Sequence, residues 1–149
     1  MRTASLAPDL REDIAERLRG AGQRFTRNRE ALLGVLAAAR RPLTIHEIVA
    51  SDTSLAMSTV YRNLTVLEEI GVVHRVVTSG DFAHYELAED LTEHHHHLVC
   101  SNCGAVDDVK ASPKLEQCVR DAARDIARRT GFHTERHLLD LIGRCSRCA

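Results

Sequence analysis

The sequence predicts an α+β fold: a helical first half that closes on a β-hairpin, followed by a smaller α/β unit tied by a structural zinc. Three observations predict it. Apolar positions recur at helical spacing as far as Gly71; β-branched residues around a turn follow as far as Leu87; and two C-x-x-C pairs bracket a second set of strand-like and helical segments. With 149 residues the chain has room for one average domain or two small ones. The expected division is 1–88 and 89–149.

Residues 10–19 form a charged amphipathic helix that stops at Gly20-Ala21-Gly22. Thr26 caps a second helix to about residue 39, with Leu32, Leu33, Leu36 and Ala39 at helical spacing, and Arg40-Arg41-Pro42 ends it. Thr44 caps a short third helix over 45–51, where Glu47 completes a capping box. Ser58 is the expected cap of a fourth, running to Gly71 with Val60, Leu64 and Leu67 as its apolar stripe. Residues 72–78, a Ser79-Gly80-Asp81 turn and residues 82–87 then read as a hairpin.

Helices followed by a hairpin are the outline of a winged helix-turn-helix, whose last helix presents its N-terminal residues to the major groove. Ser58, Thr59, Tyr61, Arg62 and Asn63 lie there, and Arg24 precedes the second helix where it could reach a phosphate or the minor groove. Arg forks onto guanine or phosphate, Asn pairs with adenine, and an aromatic edge packs on a thymine methyl. A solvated helix face has the same composition, so the residues alone leave both readings open.

Residues 88–93 are acidic and read as a hinge. A strand through His94-His95-His96-His97-Leu98-Val99-Cys100 follows, then a second over 105–109. A helix from about Pro113 to residue 129 carries Leu115, Val119, Ala122, Ala123 and Ile126 on one face and ends at Gly131. Cys118 on that face reads as a buried thiol. Residues 132–142 are expected to form the last strand, leading into Cys145-Ser146-Arg147-Cys148.

Cys100, Cys103, Cys145 and Cys148 form two pairs, and two such pairs complete a closed tetrahedral thiolate site that suits a structural zinc ion. A redox or disulfide role is the alternative. Five cysteines, an odd number, fit metal ligation in a reducing compartment better than a disulfide framework. Because strand side chains alternate, His95 and His97 share one face while His94 and His96 share the other, so one strand can serve two metal sites. His133 and His137 have matching parity on the last segment. A solvated polar run is the competing reading.

Hydrophobic residues at 44% and charged residues at 28% are ordinary for a globular chain. The first 75 residues carry 11 Arg against 9 acidic residues, and the remainder 9 basic against 12 acidic, which together make the net charge of -1. So mild a split is no argument for nucleic acid without a reading motif. No apolar run approaches a membrane span and residues 1–10 lack a leader's apolar core, so a cytoplasmic location with no membrane partner is expected. His46-Glu47 does not open an H-E-x-x-H motif, because Val49 stands at position 49. The zinc-deaminase pattern, a phosphate loop and G-x-S-x-G are likewise missing, so neither an enzyme nor a small organic substrate is expected. A zinc-dependent hydrolase and a zinc-ribbon interaction module remain the readings from other classes.

Arg24-Phe25-Thr26-Arg27-Asn28-Arg29, Ser58-Thr59-Val60-Tyr61-Arg62-Asn63-Leu64, and His94 to Cys103 followed by Cys145 to Cys148 resemble the ferric uptake regulator family over nearly the whole chain. The resemblance implies a winged-helix domain and an α/β dimerisation domain. It also implies a homodimer that closes on palindromic double-stranded operator DNA when loaded with metal, repressing metal-uptake genes. By position it implies structural zinc on the four cysteines and a regulatory metal on His74, Glu86, His95 and His97. An additional site falls on His94, His96 and His137, where Glu116 supplies the acidic ligand only with a one-residue shift. The regulatory ion is expected to be zinc first and iron second, with manganese and nickel compatible with N/O donors. Peroxide sensing, in which ligand histidines beside iron are oxidised, is the alternative within the family, left open by the site histidines and Asp108.

Overall fold

The computed structural model describes residues 5–78, 80 and 82–149. The expectations for Ser79 and Asp81 in the hairpin turn, and for the first four residues, therefore lie outside the described residues. Helix α1 (Pro8–Gly20) starts on a proline, which loses nothing at a position whose N–H has no helical partner. Thr26 caps α2 (Arg27–Ala38) by accepting from the Arg29 N–H. A two-residue strand, β1 (Leu43–Thr44), leads into α3 (Ile45–Ser51), where Thr44 and Glu47 form both bonds of the capping box.

Helix α4 (Met57–Glu69) begins two residues earlier than a cap at Ser58 would place it. Its cap position falls on Ala56, which supplies no side-chain acceptor, and Ser58 is an exposed first-turn residue rather than the cap. Strands β2 (Val73–Val76) and β3 (His84–Leu87) pair antiparallel, and β1 adds to β3 to give the order β1-β3-β2. One buried cluster joins α1 to α4 and this sheet, with Ile14, Leu18, Leu33, Ile48, Leu64, Leu67 and Val72 at its centre. The acidic segment contains a 3-10 turn (Glu89–Leu91), and Arg17 of α1 secures it by pairing with Asp90 at 2.5 Å while donating to the Gly71 carbonyl.

The second sheet has β4 (His96–Cys100) at its centre, antiparallel to β5 (Val106–Val109) and parallel to β6 (Asp140–Gly143). The last strand is shorter than the 132–142 expected. Residues 132–137 run Phe-His-Thr-Glu-Arg-His without apolar alternation, and the five-residue β4 pairs with β6 over only four positions. Ser112 caps α5 (Pro113–Thr130), and Gly131 ends it in the left-handed conformation. Helix α5 buries none of its residues, so Cys118 is exposed, not the buried thiol expected. The two sheets meet where Val76 of β2 packs with Val99 and Val106. Among the described residues no helix is long and apolar enough to cross a membrane.

Candidate metal centres and nucleic-acid interface

Among the described residues three groups of donor side chains come together, and in each the ligand atoms lie within 4.8 Å of one another. The first is Cys100, Cys103, Cys145 and Cys148. Strand β4 ends at Cys100 opposite Gly143 of β6, which brings the two C-x-x-C turns face to face across 41 intervening residues. Cys103 Sγ lies 3.8 Å from Cys145 Sγ. A tetrahedron with zinc–sulfur bonds of about 2.3 Å has edges of about 3.8 Å, so the spacing fits zinc. Backbone N–H groups of Cys103, Cys145 and Asn102 aim at Cys100 and hold its thiol down to about 6. Cys103 is instead pushed up to about 11: the Ala105 N–H favours its thiolate, but neighbouring thiolates, Cys100 foremost, outweigh it. Four sulfurs this close ionise together only around a cation.

The second group lies between the two sheets, at the expected hinge, and contains Glu86, His95, His97 and Asp108. Glu86 reaches from β3 across to the second sheet, 3.0 Å from His95 Nε2 and 3.2 Å from His97 Nε2. Burial raises the Glu86 carboxyl, but hydrogen bonds from His97 and His95 reverse this and hold it below the usual range. For His97 the Glu86 hydrogen bond raises the imidazole against burial; for His95 burial is the largest influence, and the Glu93 carbonyl and Glu86 overcome it. Asp108 stands opposite His97 in the β4–β5 register and on its face, and burial raises its carboxyl. Two imidazoles and two carboxylates around one point suit a divalent cation that accepts nitrogen and oxygen.

His74 is the one expected member of this set that does not join it. It pairs with Glu86 in the β2–β3 register, but the cluster is assembled on the other sheet, whose own strand β5 supplies Asp108 in its place. The missing signal was the β4–β5 register, which sequence periodicity does not specify.

The third group, His94, His96, Glu116 and His137, lies on the opposite face of β4. Glu116 Oε1 is 2.7 Å from His96 Nε2 and 3.3 Å from His94 Nε2, and its other oxygen is 3.4 Å from His137 Nε2. The one-residue shift is thus the geometry present: Leu115 is exposed while Glu116 faces the histidines. The His96 hydrogen bond is the main reason that the Glu116 carboxyl lies below its usual range. Glu89 holds His94 from behind, through Nδ1. His133 is exposed and joins none of the three groups.

On α4, Tyr61 and Arg62 are exposed, with Tyr61 61% accessible, and Ser58 and Arg24 are exposed as well. Thr59 is half-buried. Asn63 differs from its neighbours. Its carbonyl oxygen accepts from Arg29 Nε at 3.0 Å and its amide donates to the Thr59 carbonyl, so both ends are engaged. Arg29 is itself buried and also donates to the Arg24 carbonyl and to Gln23. This guanidinium clamps α4 to α2 and to the loop that carries Arg24. Its place on the helix face marks Asn63 as a base reader in sequence, but that position does not reveal that Arg29 reaches it.

The sequence pattern of the Ferric uptake regulator family matches residues 20–142. The peroxide-responsive repressor PerR of Staphylococcus aureus is 29% identical over 148 residues, covering 97% of this chain and 94% of that one. Among solved structures, the Helicobacter pylori ferric uptake regulator, described as having three functional metal-binding sites, superposes with a TM-score of 0.74 at 24% identity, covering 99% of this chain and 97% of that one. The Pseudomonas aeruginosa ferric uptake regulator, solved with manganese, gives a TM-score of 0.68 at 28% identity, covering 88% of this chain and 96% of that one. These relatives are regulators, not enzymes. With the winged-helix outline, the paired histidine clusters and the four-cysteine knuckle all on one chain, and with the match spanning residues 20–142, this protein belongs to the ferric uptake regulator family.

Proposed function

We propose that the protein is a metal-responsive repressor that binds palindromic operator DNA as a homodimer when its hinge site is loaded. The observation that carries this reading is Glu86, a residue of the hairpin unit, meeting His95 and His97 of the second sheet. In this reading residues 1–88 are the DNA-binding domain, residues 89–149 the dimerisation domain, and the hinge donors span the boundary. An ion held by all of them restricts the angle between the two domains. If the DNA-competent arrangement binds the ion more tightly, the ion shifts the population toward it, and DNA tightens the ion by the same factor.

The remaining parts follow from their surroundings. The four cysteines hold a structural zinc, and His94, His96, Glu116 and His137 form an additional site. Tyr61 and Arg62 read bases, Ser58 and Thr59 at the uncapped start of α4 meet phosphate, and Arg24 adds a backbone contact. Leu115 and Ile126 of α5 and Leu141 and Ile142 of β6 are exposed apolar residues, and they are the parts of the surface assigned to a second copy. Replacing His74 with Asp108 changes the hinge donors from three nitrogens and one oxygen to two of each. That harder set shifts the proposed regulatory ion from zinc toward iron(II) or manganese(II).

A second reading, peroxide sensing, is favoured by the likeness to the staphylococcal repressor and by Asp108 beside the two histidines. Mass spectrometry after exposure to iron and peroxide separates the two. Oxygen added to His95 or His97 supports sensing of peroxide, and unmodified histidines oppose it.

The main test replaces His95 and His97 with Ala and follows binding to a duplex selected from random sequence by the metal-loaded protein. Expected is a dimer that keeps its zinc but no longer gains DNA affinity with manganese(II) or iron(II). An unchanged metal response would overturn the hinge reading.

A further inference from the structure

The two hinge imidazoles are each held from both sides. Their Nε2 atoms face Glu86, and their Nδ1 atoms face acceptors on the far side. For His95 that acceptor is the main-chain carbonyl of Glu93, at 2.9 Å. For His97 it is a side chain, Asp140 Oδ1, at 3.2 Å. Asp140 sits directly opposite His97 in the parallel β4–β6 register, so both side chains leave the sheet on one face. It is not among the four donors that gather within 4.8 Å, because the imidazole ring stands between it and them.

We propose that Asp140 is a positioning residue for the hinge site: it accepts the Nδ1 proton of His97 and thereby turns the Nε2 lone pair toward Glu86 and Asp108. A neutral imidazole carries one proton, and the nitrogen that keeps it cannot bind an ion. A carboxylate at Nδ1 selects the tautomer that leaves Nε2 free, fixes the ring plane and raises the basicity of the ligand nitrogen. The same strand pair sets Gly143 opposite Cys100, and Cys145 follows two residues later. The four-cysteine knuckle therefore anchors the strand that keeps Asp140 in register with His97. The inference rests on the hinge-site reading above and adds a residue that ligand-type arguments do not reach.

The experiment compares Asp140→Leu, Asp140→Asn and His95→Ala in the zinc-containing dimer. Asn keeps an acceptor oxygen of the same shape, so it tests the hydrogen bond without a change in packing. Long-range proton–nitrogen spectra of the metal-free hinge site at mildly alkaline pH report the His97 tautomer, and manganese(II) titration reports affinity. Expected is a larger Nδ1–H fraction in wild type and Asp140→Asn than in Asp140→Leu, where Glu86 alone draws the proton to Nε2, together with roughly ten- to hundredfold weaker manganese binding in Asp140→Leu. An unchanged tautomer and affinity in Asp140→Leu overturns the proposal. So does an Asp140→Asn variant that loses as much affinity as Asp140→Leu while keeping the tautomer, since that marks a direct ligand. If His95→Ala binds manganese as wild type does, the hinge reading fails and this proposal with it. If His95→Ala fails to bind while Asp140→Leu binds normally, only the role of Asp140 is overturned.

Discussion

Leu64 and Ile126 occupy comparable places on the apolar stripes of two amphipathic helices, yet Leu64 is 1% exposed and Ile126 is 40% exposed. The stripe of α4 is closed by α1, α2, α3 and the first sheet of the same chain, within one large cluster of buried residues. Among the described residues nothing closes the stripe of α5, and the buried cluster at the second sheet consists of Val76, Val99 and Val106. The first region is stabilised by a core of its own. The second is too poor in core to stand on hydrophobic burial alone, and in the function proposed above the cysteine knuckle and a second copy complete it.

That contrast breaks most visibly at the knuckle. Cys100→Ser should abolish the second sheet and the dimer while the helical first region stays folded, read by circular dichroism, limited proteolysis and sedimentation. A zinc-containing dimer of normal stability would contradict the assignment. A smaller effect, confined to the first region, is expected from Arg29→Leu. It strips Asn63, Gln23 and the Arg24 carbonyl of a charged donor, and hydrogen bonds to charged groups contribute about 1.5–3 kcal/mol each. Chemical denaturation should show the first transition weakened by roughly 2–4 kcal/mol with the second unmoved. Specific DNA binding should fall too, because α4 loses its clamp.

The smallest effect sharpens the comparison through pH. Burial raises the Glu47 carboxyl, but Arg41 and Thr44 outweigh it and lower it from the usual 4.5 to about 2. A depressed carboxylate contributes stability above its unfolded pKa and loses it as pH falls through the folded value. Glu47→Gln should therefore cost about 1 kcal/mol at neutral pH, the size of one helix cap. The difference from wild type should shrink between pH 4.5 and about 2, measured by denaturation across that window. A difference independent of pH would show that the cap acts without its charge.

Much of this molecule was legible in its sequence, for an identifiable physical reason. Helix stripes, caps at Thr26 and Thr44, the alternation of four consecutive histidines and the two C-x-x-C pairs are all local, set by a period or a spacing along the chain. What stayed hidden depends on which segments meet. Asp108 rather than His74 stands at the hinge because β5 pairs with β4 in one register, and Asp140 supports His97 because β6 pairs on the other side. Asn63 is held inside rather than presented outside because Arg29, 34 residues earlier, reaches it. Sequence by itself determined the element types, the two cysteine pairs that gather and the two faces of the histidine strand. Only the tertiary structure decided the partners of each face, since register and long-range contacts follow from the packing of whole sheets and leave no period in the chain.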